Sequence, residues 1–93
     1  MRLNTAEQQA IRQAIASSDQ DAVIYIFGSR VDDSAKGGDI DLLILSRRIN
    51  LMAKLEILAK LHQVLGERKI DLAVYPDLAD PFARMASENG VKL

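Results

Sequence analysis

The sequence predicts a single α/β (α+β) domain over residues 1–93. It should hold a three-stranded mixed sheet with helices packed on one face, in the order α-β-β-α-β-α. Three observations predict this. Runs rich in β-branched and aliphatic residues recur three times, each closed by breaker or polar residues: Ala22–Phe27 before Gly28, Asp39–Leu45 before Ser46-Arg47-Arg48, and Lys69–Tyr75 before Pro76. Apolar residues at helical spacing occupy the segments before, between and after these runs. A chain of 93 residues, 48% hydrophobic, can bury one modest core and not two.

Each element has a local cause. Thr5 can cap the first helix, with Gln8 three residues on completing a capping box, and Ala6, Ala10, Ile11, Ala14 and Ile15 carry its apolar face through Ser17. Ser18-Asp19-Gln20-Asp21 ends that pattern before the first strand. Residues 28–38 are a polar connection with three glycines. Asn50 can cap a long helix from Leu51 to Leu65, which Gly66 stops. Asp80-Pro81 is an N-cap and first-turn pair for a last helix reaching about Asn89, with Gly90 after it. On a helical wheel Ile57, Leu58, Leu61, Val64 and Leu65 face the core. Met52, Leu55 and Ala59 widen the apolar surface beyond the usual stripe, as a deeply packed helix or a partner-binding helix does.

Charge and cysteine content narrow the class. The net charge is −1, with no basic excess of the kind that phosphate-backbone binding uses, so direct nucleic-acid binding is disfavoured. With no cysteine there are no disulfides, thiolate zinc sites or cysteine nucleophiles. The first residues hold no apolar signal core, and the longest apolar run, Ala22–Phe27, is six residues, so no membrane span is expected and a cytoplasmic location is.

Aspartate is depleted in strands, yet three stand in strand-like runs. Asp39 and Asp41 are two apart and therefore share one face, while Ile40, Leu42 and Ile44 point to the other. Asp71 sits in an Ile-Asp-Leu triplet that repeats the one around Asp41. If the two strands are neighbours, the three carboxylates converge, and like charges so gathered raise one another's pKa values unless a cation sits between them. Oxygen ligands on a rigid sheet suit Mg²⁺ or Mn²⁺; the absence of cysteine and the single histidine, His62, argue against zinc. Directly after the first strand come Gly28, Ser29 and Arg30. A glycine turn, backbone N–H groups, a hydroxyl and a guanidinium there suit phosphate oxygens, although the Walker A pattern is absent.

Taken together, Gly28-Ser29-Arg30 after a strand, Asp39-x-Asp41 on the next and Asp71 on a later one resemble the DNA polymerase β-like nucleotidyltransferase superfamily. The closest likeness is to its minimal nucleotidyltransferase (MNT) domains, and residues 22–75 carry it. The spacer between Ser29 and Asp39 is nine residues, one shorter than is usual in the family, and Gly38 stands where a serine is common. Both departures fall in the connecting loop and leave the chemical groups in place.

The resemblance implies a polymerase β-like core and two Mg²⁺ ions bridging the acidic triad and a nucleoside triphosphate. Asp39, Asp41 and Asp71 become the catalytic and metal-binding residues, Asp71 nearest the attacking hydroxyl. Gly28 and Ser29 become contacts to the β- and γ-phosphates, with Arg30 beside them. It further implies transfer of a nucleoside monophosphate, AMP from ATP, to a hydroxyl of a partner protein. Domains of this kind serve as antitoxins that pair, as hetero-oligomers, with small helical HEPN toxins. Two rival readings remain: a non-catalytic antitoxin that acts by complex formation, and a transferase for a small molecule, which would ordinarily carry a further helical domain.

Overall fold

The structure, a computed structural model, describes residues 3–27, 39–66 and 68–93. The elements are α1 (Thr5–Ala16), β1 (Val23–Phe27), β2 (Ile40–Leu45), α2 (Leu51–Leu65), β3 (Ile70–Tyr75), α3 (Pro81–Asn89) and β4 (Val91–Lys92). The sheet is mixed, as expected, but among the described residues it has four strands in the order β3-β2-β1-β4 rather than three. β1 is antiparallel to β2 and to β4, and β2 is parallel to β3. The parallel pair needs a crossover, and α2 supplies it.

The second correction concerns layers. α1 and α2 cover one face, where Ile11, Ile15, Ile57 and Leu61 close over Ile24, Ile26, Ile40, Leu42 and Ile44. α3 packs on the other face instead of joining them, with Ala83 and Ala86 against Leu43 and with Tyr25, Phe27, Ala73 and Tyr75 around that contact. Leu43 is fully buried although it points away from Leu42 and Ile44. β2 is therefore apolar on both faces above its first turns, as a strand sandwiched between helices must be.

Local details also shift. The N-cap of α1 is Asn4, not Thr5: its side chain accepts the Glu7 N–H at 2.8 Å, and Glu7 accepts the Asn4 N–H at 3.0 Å. Asn50 and Asp80 cap α2 and α3 as expected. Gly66 ends α2 at φ +83°, a conformation that favours glycine. Along α2, Ile57, Leu61 and Leu65 are buried and Leu58 half-buried, whereas Val64, assigned to the core-facing arc, is 55% exposed.

Gly90 lets the chain pass tightly from α3 into β4. A Cβ there would lie 2.6 Å from the Ile26 carbonyl oxygen and 2.7 Å from that of Ala86, both fixed backbone atoms. Gly90→Ala is therefore expected to cost about 1–3 kcal/mol and to lower Tm by at least ~5 °C, as thermal unfolding would show. An unchanged Tm would mean that β4 docks more loosely than this.

Candidate active site

The site is built where β2 and β3 begin. Their parallel register pairs Ile40 with Ile70 and Asp41 with Asp71, so the two Ile-Asp-Leu triplets lie side by side. Residues paired across a ladder share a face. Asp41 and Asp71 thus project together on the α3 side, away from the Ile40–Leu42–Ile44 core. The antiparallel register of β1 adds Phe27 opposite Asp41, giving a row Phe27–Asp41–Asp71 across three strands.

The register sets the two carboxyls side by side on neighbouring strands. Burial pushes the Asp41 carboxyl above the ordinary carboxylate range. The hydrogen bond and charge of Asp71 and the charge of Asp39 raise it further, and the Lys69 ammonium opposes them. Two carboxylates set side by side offer oxygen donors of the kind a hard cation takes. Asp39 precedes β2 and is exposed; it acts on Asp41 by charge. Among the described residues, however, no third Asp, Glu, His or Cys side chain joins the pair to make a metal-holding group of three. The structure therefore joins Asp41 with Asp71 and leaves Asp39 at the margin of the pair. Gly28, Ser29 and Arg30 lie outside the described residues.

An aromatic wall adjoins the row. Phe82 in the first turn of α3 meets Phe27 edge-on, with ring centroids 5.8 Å apart at 79°, and leans on Tyr75 at 5.8 Å and 38°. Phe82 keeps 38% of its surface exposed and Met85, one turn on, 47%.

Two features were missed in the sequence. Lys69 has the same parity as Asp71, two residues earlier, and that spacing was a legible signal. Asp19 had none. It reads as a helix breaker, yet its side chain is only 5% exposed. Its carboxylate accepts the Ser46 hydroxyl at 2.6 Å and the Asp21 N–H at 3.0 Å. Ser46 Oγ in turn accepts the N–H groups of Arg48 and Ile49 at 3.1 and 3.2 Å. The Ser46 bond holds the Asp19 carboxyl below the ordinary carboxylate range. The tie lies at the end of β2 remote from Asp41, so its role is to join the two loops that enter β1 and α2.

No helix among the described residues is long and apolar enough to cross a membrane. The family described as polymerase beta, nucleotidyltransferase matches residues 9–93, which take in all four strands and the carboxylate pair. No individual curated protein matches the chain.

Proposed function

The chain belongs to the polymerase beta nucleotidyltransferase family, and on that premise we propose that it is a divalent-metal-dependent nucleotidyltransferase that moves AMP from ATP to a hydroxyl of a partner protein. The observation that carries this reading is the Asp41–Asp71 pair, set side by side by the β2–β3 register.

Asp41 and Asp71 would hold Mg²⁺ or Mn²⁺ through carboxylate oxygens, with Asp39 as the third ligand that the family likeness implies. Two such ions would supply charge neutralisation at the attacking and leaving oxygens of an in-line displacement. The protein's own share is positioning, which dominates nucleotidyl transfer. Gly28 and Ser29, with Arg30 beside them, hold the β- and γ-phosphates. An Asp71 oxygen would take the proton of the acceptor hydroxyl as the hydroxyl oxygen bonds to the α-phosphorus. The bond to the β-phosphate breaks, and pyrophosphate leaves.

A HEPN-type toxin is the partner we assign, in a toxin–antitoxin pair. Its support is the apolar flank of α2, where Leu51, Met52 and Leu55 are 69%, 65% and 51% exposed. That same flank favours the second reading, an antitoxin that acts by occlusion alone.

The test is transfer of label from α-labelled ATP, with Mg²⁺, to the protein encoded beside this one, using wild type and Asp71→Asn. Label on the neighbour that disappears with Asp71→Asn is expected. Tight complex formation by both forms with no label would replace catalysis with occlusion.

A further inference from the structure

Lys69 lies on the carboxylate face but has no part in the reading above. Its carbonyl accepts the Ile40 N–H at 2.8 Å, which fixes it one step before the Ile40–Ile70 pair and so opposite Asp39. It shares parity with Asp71, hence the same face. Its side chain is exposed, and it is the one basic group among the described residues whose charge acts on Asp41. The strand order puts it on the β3 side of Asp41, while β1, which leads to Gly28 and Ser29, lies on the opposite side.

A fixed cation there has opposite effects on two ligands. It repels a bare divalent ion from the Asp41–Asp71 pair. It does not repel a metal–triphosphate complex, whose net charge is negative. We propose that Lys69 is a positioning residue that weakens the hold of the carboxylate pair on a free divalent cation, so that the cation is retained in company with the triphosphate. This rests on the reading that Asp41 and Asp71 are cation ligands, and it adds a control on when they are filled.

The experiment measures Mn²⁺ binding by electron paramagnetic resonance for wild type, Lys69→Met, Lys69→Gln, Lys69→Arg and Asp41→Asn, alone and with a non-hydrolysable ATP analogue. Tm is followed in parallel. Lys69→Met and Lys69→Gln are expected to bind free Mn²⁺ about tenfold more tightly, the size appropriate to a unit charge facing a divalent one across a wet surface. Lys69→Arg should stay within about twofold of wild type. The gain should shrink as salt is raised, and it should be absent for Mn²⁺ with the analogue. A merely structural lysine predicts no gain of affinity at all. Unchanged or weaker binding of free Mn²⁺ by both neutral variants would overturn the proposal, as would equal tightening with and without the analogue. Full-strength Mn²⁺ binding by Asp41→Asn, or none by wild type, would instead remove the underlying site assignment and the proposal with it.

Discussion

Asp41→Asn is expected to lower nucleotidyl transfer by at least about a hundredfold while raising the melting temperature at neutral pH. The loss of rate follows from removing one charge of a preorganised electrostatic site. The gain in stability follows from linkage. The carboxyl of Asp41 titrates above its unfolded value of 3.8, burial being the largest cause and Asp71 the next. The folded state then binds that proton more tightly than the unfolded state does. Stability is lost as pH rises from 3.8 through the folded-state value, and at neutral pH the whole penalty is present. Asparagine carries no charge and can donate a hydrogen bond to Asp71. The Tm difference between variant and wild type should therefore be largest near neutrality and close as pH falls to about 4. Thermal unfolding across pH, beside the label-transfer rate, measures both effects. A lower Tm for the variant at neutral pH, or a difference that ignores pH, would refute the assigned electrostatics.

Leu42→Ala should have the largest effect on folding. Leu42 is fully buried directly behind the carboxylates, where β2 meets the α1–α2 layer. Truncation removes its packing and leaves a cavity, at a cost of about 2–5 kcal/mol. A small domain has about 5–15 kcal/mol in all. The urea midpoint should fall sharply with little change in m, and Tm by at least ~10 °C. Leu55→Ala, on the exposed flank of α2, should shift stability by no more than ~0.5 kcal/mol. A comparable loss at both positions would mean that the α2 flank is packed against something in solution.

Much of this arrangement was legible because it rests on short-period patterns. The repeated Ile-Asp-Leu triplets foretold that Asp41 and Asp71 could pair, and the register places them opposite each other. The three helices and three longer strands followed from breakers and periodicity, with ends displaced by a residue or so. β4 was not legible: Val91–Lys92 is too short to show alternation, and its pairing depends on the close approach at Gly90. The position of α3 was hidden for a related reason. Only its two buried alanines mark the inner face, and alanine does not distinguish one side of a sheet from the other. The cap of α1 moved from Thr5 to Asn4 because both residues can serve, and Glu7 lies three residues after Asn4 where Gln8 lies three after Thr5. Asp39, read as the first residue of a strand, lies just before β2, which explains why it neighbours the pair without completing it.

Among the described residues β3 has a hydrogen-bonded neighbour on one side only. Asp71 is carried by this outermost strand and Asp41 by an inner one, so the site persists only as long as the ladder between them. Outer strands open at a lower free energy than the whole domain. Fraying from the Ile40–Lys69 end would part the carboxylates while the α1–α2 layer stayed closed over the other face. The lifetime of the carboxylate pair is then set by the edge of the sheet and not by its core. The Ile40 amide, bonded at 2.8 Å to the Lys69 carbonyl, is the natural gauge of that lifetime in hydrogen exchange.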